Sequence, residues 1–287
     1  MLALSACGTS DNPVISDSGP GNDIIVGSAN FPENVLLAEI YVQALEAKGL
    51  KVQRKFNIGS REVIYNQLQS GGLTVLPEYN GALLAYLDAQ NAATSTEEVN
   101  SALKAKLPGS LELLDSAPAE DKDSLNVTKE TAARYNLRSI ADLAPVSMGL
   151  LLGGPPEFNT RRQGAVGLKE IYGVGFKEFR SLDVAGPLTV SALKKGDVQV
   201  ANLFTTDPAI EVNGFVTLAD PKNLFSAQNV TPLVYKNSIS DSAREALNAV
   251  SAKLETPALL DMMRKISVDK QDPDKVAEEW LKSVGIL

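Results

Sequence analysis

The sequence contains no histidine, and Cys7 is the one cysteine in its 287 residues. Without histidine, a Ser-His-Asp or Cys-His nucleophile, a histidine general base and a histidine-ligated metal are all excluded. A single cysteine permits neither an internal disulfide nor a thiolate metal cage. We therefore expect no metal and no cofactor, and a binding protein is favoured over an enzyme.

The sequence also lacks an excess of positive charge and a long apolar run. It has 27 Lys and Arg against 35 Asp and Glu, a formal net charge of -8, whereas a nucleic-acid surface needs clustered cations. No run of 18 apolar residues is present to span a bilayer. With 44% apolar and 22% charged residues, the composition is typical of a globular protein of one large domain or two smaller ones.

The first 22 residues read as an anchor followed by a tether. Leu4-Ser-Ala-Cys7 fits the bacterial lipobox, whose cysteine receives lipid. Residues 8–22 are rich in Gly, Ser, Asp and Pro, and such a segment buries too little apolar surface to fold. A chance cysteine in a disordered tail is the alternative, since a basic region and a longer apolar run are missing. The favoured prediction is an extracytoplasmic protein held at the outer face of the membrane through lipidated Cys7.

Two segments of the folded body share one pattern. Residues 56–79 and 182–204 each read as a strand, a glycine turn, a short helix, a glycine stop and a second strand that ends in polar and aromatic residues. Any two strand–helix–strand units look alike to this extent. Their positions on either side of the middle of the chain nevertheless favour two α/β lobes built alike.

Two polar, turn-rich stretches, 115–124 and 226–232, suit crossovers between such lobes. Ligands bind beyond the carboxyl ends of the strands in open α/β sheets, so a ligand is expected in a cleft between the lobes. The predicted organisation is a lipobox and flexible tether at 1–22, lobe I at 23–117 plus 232–287, and lobe II at 118–231.

Five motifs occur in the order and at the spacing of a known family. They are Val26-Gly-Ser-Ala-Asn-Phe31, Leu76-Pro-Glu-Tyr-Asn-Gly81, Val127-Thr-Lys-Glu-Thr131, Gly153-Gly-Pro-Pro-Glu-Phe158 and Asn202-Leu-Phe-Thr-Thr-Asp-Pro208. Over about residues 23–285 the chain resembles the substrate-binding proteins of osmoprotectant ABC importers, the glycine betaine/choline/carnitine family. The resemblance implies a two-lobed periplasmic-binding-protein fold that closes on its ligand by a hinge. It also implies a small-molecule solute, an ABC permease and its ATPase as partners, and we expect a monomer.

In that family, a cage of mostly Tyr side chains holds a quaternary ammonium group. Such a group cannot donate hydrogen bonds, so aromatic faces and dispersion contacts bind it. Carried over by motif, the cage positions fall on Tyr79, Asp123, Phe204 and Gln228, and Ala29 stands where the family often has Lys or Gln. The full set of ligand-contacting residues predicted from the resemblance is Ala29, Tyr79, Asp123, Arg161, Phe204, Thr205, Gln228 and Asn229.

The departures from the cage leave the ligand open. Two aromatics instead of four remove much of the cation–π contribution, which is about 0.5–2 kcal/mol per contact. Asp123 would attract a choline-like cation but repel the carboxylate of glycine betaine, unless Arg161 offsets it. Together with Gln228 and Asn229, Asp123 also suits a ligand with several donors, such as a polyol, a sugar-like or a phenolic compound.

Two other functions remain open from the sequence. A carboxylate-based extracytoplasmic hydrolase would use Glu78 and Asp123 as an acid/base pair, which glycoside hydrolysis requires at about 5–10 Å. A sensory receptor without a permease would have the same sequence features. The candidate residues also have ordinary structural interpretations, with Tyr79 as a core aromatic, Asp123 as an exposed loop carboxylate and Arg161 as a solvated charge.

Overall fold

The computed structural model describes residues 23–287, so Cys7 and the predicted tether lie outside the described residues. The strands are β1 (Ile24–Gly27), β2 (Val52–Lys55), β3 (Val75–Tyr79), β4 (Leu111–Leu113), β5 (Asp123–Val127), β6 (Leu151–Gly154), β7 (Glu178–Ser181), β8 (Val200–Phe204), β9 (Val216–Thr217) and β10 (Val230–Tyr235). The α-helices are α1 (Pro32–Glu46), α2 (Arg61–Gln69), α3 (Asn80–Leu87), α4 (Thr96–Lys106), α5 (Lys129–Tyr135), α6 (Ala165–Tyr172), α7 (Pro187–Lys195), α8 (Ala209–Asn213), α9 (Asp241–Ser251), α10 (Thr256–Ser267) and α11 (Pro273–Ser283). Among these helices, none has both the length and the apolar character needed to cross a bilayer.

The strands form two five-stranded sheets of matching design. The first has the order β2-β1-β3-β10-β4 and the second the order β7-β6-β8-β5-β9. In each sheet three strands run parallel, and the fourth lies antiparallel to the third. That fourth strand, β10 or β5, is the one by which the chain arrives from the other sheet. We call the first sheet with its helices lobe I and the second sheet with its helices lobe II.

Apolar clusters cover both faces of each sheet. In lobe I, α1, α9, α10 and α11 pack on one face, while α2, α3 and α4 pack on the other. Every residue of β3 is buried as a result, including Glu78, which explains why the strand shows no alternation of apolar and polar side chains. In lobe II two further clusters lie on the two sides of β6 and β8. The two-lobed α/β fold class expected from the sequence is confirmed.

The two crossovers run side by side. The chain leaves the first sheet after β4 and returns to it at β10, and an isolated bridge between Glu120 and Asn229 joins the two passages. Val230 and Thr231, which the sequence placed in lobe II, pair with Tyr79 and Glu78 in the first sheet. The strand thus begins just before the predicted lobe boundary at 231/232, because the register with β3 extends to the end of that strand.

Candidate functional site

A cavity lies between the lobes, at the carboxyl ends of β1, β3 and β8. It contains about 570 Å³ of empty space, including the part that is open to solvent. Six of the eight ligand contacts predicted from the sequence line it: Ala29, Tyr79, Asp123, Arg161, Phe204 and Gln228. This location is the one expected for a ligand in facing open α/β sheets.

Thr205 and Asn229, the other two predicted contacts, do not line the cavity. The Thr205 hydroxyl accepts from the Lys122 N–H at 2.9 Å and donates to Asp121 Oδ1 at 3.1 Å. The buried Asn229 amide donates to the Ala117 carbonyl at 2.9 Å. Both side chains therefore hold the crossover segments in place, and their polar groups are used by neighbours.

Three aromatic rings, contributed by both lobes, stand together in the cavity wall. The Phe31 ring centroid lies 6.2 Å from that of Tyr79 and 5.1 Å from that of Phe204. Phe31 was not among the predicted contacts, although it follows β1 just as Tyr79 ends β3 and Phe204 ends β8. The cavity thus has one more aromatic face than the two that the cage positions provide.

A buried carboxylate holds Tyr79 in place. The Tyr79 hydroxyl donates to Glu33 Oε1 at 2.7 Å, and the hydroxyl of Thr206, from lobe II, donates to the other oxygen of Glu33. Glu33 is only 2% exposed, and burial raises its pKa despite the hydrogen bonds from Thr206 and Tyr79, which lower it. Glu33 lies on the first turn of α1, so it fixes the ring and ties the lobes together at this corner.

Asp121 adjoins Glu33 and is equally buried, at 2% exposure. It accepts from the Thr206 N–H at 3.1 Å, and Glu33 is its acidic neighbour. Burial and the neighbouring Glu33 charge raise the pKa of Asp121 well above its ordinary value. Two neighbouring buried carboxyl groups do not both ionise readily, so the charge of Glu33 disfavours loss of the proton from Asp121.

Asp121→Asn should raise stability at alkaline pH. A group with a raised pKa contributes stability below its ordinary pKa, near 4, and that stability is lost as pH rises through the folded-state pKa. Asparagine keeps the acceptor for Thr206, donates to Glu33 and cannot ionise. We expect the variant to be more stable than wild type by about 1 kcal/mol or more at pH 8, since each unit of pKa shift is worth about 1.4 kcal/mol.

The measurement is thermal unfolding of both proteins from pH 4 to pH 8. The gap in midpoint temperature should be largest at pH 8 and close towards pH 4. Glu245→Gln, at an exposed position on α9, is the control and should show no such pH dependence. A variant that is equally or less stable than wild type at pH 8 would contradict the raised pKa of Asp121.

Asp123 presents a third acid in the cavity. Its Oδ1 accepts from the Asn202 amide at 2.8 Å. Burial raises the pKa of Asp123, while the Asn202 hydrogen bond and the charges of Arg161 and Arg61 act in the opposite direction. Among residues 23–287, His, Cys, Asp and Glu side chains do not assemble into a metal-binding group.

The two arginines of the cavity wall are already paired with acids. Arg61 forms a two-pronged ion pair with Glu78, at 2.8 and 2.9 Å, and Glu78 also accepts from the Tyr79 N–H at 3.0 Å. Glu78 is thus fully engaged and is not free to act as the acid or base of a hydrolase.

Arg161 pairs with Glu62 across the cleft, at 3.0 Å for both hydrogen bonds. Burial alone would raise the pKa of Glu62, but the hydrogen bonds from Arg161 and Ser60 and the Arg161 charge lower it to about 2. With Arg61 and Arg161 both compensated, the acids of the wall without a paired cation are Asp123 and Glu157, because burial and Glu33 favour the neutral form of Asp121. The cavity therefore combines aromatic faces with uncompensated negative charge, an arrangement that favours a cation.

Residues 22–283 match the family model described as the substrate binding domain of ABC-type glycine betaine transport system. Among curated proteins, the chain is 28% identical to the glycine betaine-binding protein YehZ of Escherichia coli K12, over 91% of this chain and 90% of that protein. It is 26% identical to a glycine-betaine-binding protein of Pseudomonas aeruginosa, over 91% and 88% of the two chains. A crystal structure of a glycine betaine/carnitine/choline ABC transporter protein superposes with a TM-score of 0.68 at 24% identity, over 92% of this chain and 99% of that one.

Proposed function

Because this chain belongs to the family of substrate-binding domains of ABC-type glycine betaine transport systems, we propose that it captures a small organic cation between its lobes. It is an extracytoplasmic substrate-binding protein of an ABC importer for betaine/choline-type solutes. Within that class, the proposal is that the ligand carries a quaternary ammonium group and has no carboxylate close to it. The closed complex would then dock on the permease, as expected for a protein whose two states differ in ligand affinity.

The observation that carries this proposal is the combination of rings and acids. Phe31, Tyr79 and Phe204 offer aromatic faces from both lobes, and Asp123 and Glu157 supply negative charge in the same wall. A desolvated ammonium ion gains from both contributions. A polyol, sugar-like or phenolic ligand, which the sequence left open, would leave these carboxyl groups without a counter-charge.

A carboxylate near the ammonium group is disfavoured by the same wall. In glycine betaine one carbon separates the nitrogen from the carboxylate, so the carboxylate would lie close to the acids that attract the nitrogen. The sequence predicted that Arg161 would offset the repulsion between these acids and the carboxylate of glycine betaine. In the structure Arg161 is paired with Glu62. We therefore expect choline to bind more tightly than glycine betaine.

The test is isothermal titration of the protein with choline and with glycine betaine. We expect saturable binding of choline with an affinity at least about 10-fold higher than that of glycine betaine, a difference of about 1.4 kcal/mol. Asp123→Asn should lower the affinity for choline by about 10-fold and reduce the difference in affinity between choline and glycine betaine. Glu245→Gln, outside the cavity, should leave both affinities unchanged. Absence of saturable binding by either solute would contradict the proposal.

We also propose that lipid on Cys7 anchors the protein at the outer face of the membrane. Support comes from the Leu4-Ser-Ala-Cys7 pattern and the polar composition of residues 8–22. In a cell, such an anchor would keep the receptor close to its permease and ATPase. We expect the anchored receptor to be a monomer. Fractionation of cells that produce the full chain, with Cys7→Ser as the comparison, tests this: release of the variant alone from membranes is expected, and identical fractionation would refute it.

A further inference from the structure

The edge of the lobe II sheet that faces the cleft presents four residues in a row. Strands β7, β6 and β8 run parallel, and the first residue of β5 pairs with the last residue of β8. The residues at or just beyond these strand ends are, in sheet order, Val184, Glu157, Phe204 and Asp123. All four line the cavity with the aromatic rings. We call it the inner cavity, because a second space of about 690 Å³ shares part of its wall.

Glu157 occupies the place in lobe II that Phe31 occupies in lobe I. Strand β6 is second in the order of its sheet, as β1 is in the first sheet. Phe31 stands four residues beyond the end of β1, and Glu157 stands three residues beyond the end of β6. Lobe I thus supplies an aromatic ring at this strand end, whereas lobe II supplies a carboxylate. The rule that places Phe31 beside the ligand places Glu157 there as well.

The carboxylate of Glu157 is partly buried, and its two oxygens are free acceptors. The backbone carbonyl of Glu157 accepts from the N–H groups of Thr160 and Arg161, each at 3.1 Å, so the local turn is held without the side chain. Arg161, the cation nearest to it in sequence, is paired with Glu62. Among residues 23–287, no hydrogen bond or ion pair engages the Glu157 carboxylate.

Two other acids of the same wall already have partners. Glu78 takes both hydrogen bonds of the Arg61 fork, and one oxygen of Asp123 accepts from the Asn202 amide at 2.8 Å. A hydrogen-bond donor on a ligand therefore finds its unoccupied acceptor at Glu157.

Asp123 and Glu157 stand on opposite sides of Phe204. Because β8 lies between β5 and β6, two interstrand spacings, about 9.5 Å, separate the backbones of the two acids. A small solute that lies across the ring meets one acid at each end. A quaternary ammonium group forms no hydrogen bond and needs only charge and ring faces, which Asp123 and Phe204 provide together. The group at the other end meets a carboxylate, which only accepts.

We propose that Glu157 determines specificity by accepting a hydrogen bond from the hydroxyl group of a choline-type solute. This inference rests on the proposed function, because it takes the quaternary ammonium group at the rings as given. It assigns different roles to the two acids. Asp123 balances the charge of the ammonium group, and Glu157 selects a solute whose other end is a hydroxyl donor.

The test compares three ammonium ions of similar size by isothermal titration of the full chain. Choline donates through its hydroxyl, O-methylcholine has an ether oxygen that only accepts, and propyltrimethylammonium has a methyl group in place of the hydroxyl. We expect choline to bind about 10-fold more tightly than either of the others, which is the effect of one hydrogen bond to a charged acceptor. Since all three ions share the ammonium group, the ratios of their affinities isolate the contribution of the hydroxyl.

Two substitutions identify the acceptor. Glu157→Ala should bring the three affinities to within about 2-fold of one another. Glu157→Gln keeps an acceptor and adds a donor, so it should still prefer choline to propyltrimethylammonium and should improve O-methylcholine relative to propyltrimethylammonium. A general loss of negative charge lowers all three affinities together and leaves their ratios unchanged. Glu178→Gln, at the exposed first residue of β7 and the opposite end of the sheet, is the matched control and should keep the wild-type ratios.

The outcomes separate this inference from the proposed function. If the wild-type protein binds propyltrimethylammonium or O-methylcholine as tightly as choline, the hydroxyl is not recognised as a donor, and the inference is wrong while the proposed function stands. If the preference for choline persists in Glu157→Ala, another group of the wall, such as Gln228, binds the hydroxyl, and the inference is again wrong. If none of the three ions shows saturable binding, the proposed function itself fails. Loss of the preference in Glu157→Ala, with the preference retained in Glu178→Gln, supports Glu157 as the acceptor.

Discussion

Replacing Tyr79 with alanine should lower the affinity for choline by about 100-fold, or about 2.7 kcal/mol. The Tyr79 ring is 5% exposed and lies in the wall of the inner cavity. Its removal takes away one cation–π contact, worth about 0.5–2 kcal/mol, and leaves a gap where the ring met both the ligand and Phe31. Isothermal titration with choline measures the loss directly.

Tyr79→Phe is the matched comparison, because it keeps the ring and removes only the hydroxyl that donates to Glu33. We expect it to retain choline binding within about 10-fold, since the π face is preserved. Tyr135→Ala changes a partly exposed tyrosine of α5 in lobe II that does not line the cavity, and should not affect binding. Should Tyr79→Ala bind choline as well as Tyr79→Phe does, the ring is not part of the ligand site.

The strand ends of the cavity wall were predictable from the sequence. Tyr79 and Phe204 each close a segment that reads as a strand, and the observed strands end at these same residues. The rule that ligands lie beyond the carboxyl ends of strands then places both rings in the cleft. Applied to β1, the same rule points to Phe31, which stands four residues past that strand, so its role was accessible from the sequence as well.

The buried acid pair was not predictable in the same way. Asp121 lies in a charged stretch of the first crossover, where exposure is the default expectation, and Glu33 lies in the first turn of a helix, where an acid is common. Their contact depends on how the crossover passes over α1, which no local pattern encodes. The ion pair of Arg161 was also not predictable from the sequence, because its partner Glu62 belongs to the other lobe.

Asn229 is a polar residue whose role could not be assigned from its type alone, because the role depends on the groups around it in the fold. The sequence predicted that its side-chain amide contacts a ligand. In the fold, the side-chain oxygen Oδ1 accepts from the Thr96 hydroxyl at 2.7 Å, and the side-chain nitrogen Nδ2 donates to the Ala117 carbonyl. The two crossovers run antiparallel side by side and contain many backbone groups that need partners. Buried amides next to crossovers are therefore as readily structural as ligand-binding.

Gly81→Ala should destabilise the protein by about 1–3 kcal/mol, the usual cost of overpacking. A Cβ at Gly81 would lie 2.1 Å from the Ala227 carbonyl oxygen and 2.7 Å from Ser226 Oγ. The second crossover cannot easily move away, because the Asn80 side chain accepts from the Asn229 N–H at 2.7 Å. The gain in helix propensity from glycine to alanine, about 1 kcal/mol, offsets only part of this. Denaturant unfolding gives the size of the loss.

The same substitution should weaken choline binding, because Gly81 packs against the second crossover next to residues that line the ligand site. Tyr79 stands two positions before it, and Gln228, which also lines the inner cavity, follows Ala227 in the displaced crossover. A shift of that segment moves both walls of the cavity relative to each other. Gly109→Ala, where a Cβ would meet nothing within 4 Å, is the control and should leave stability and affinity unchanged. A Gly81→Ala protein as stable as this control would mean that the crossover yields freely, and that its packing against α3 does not set the position of the lobes.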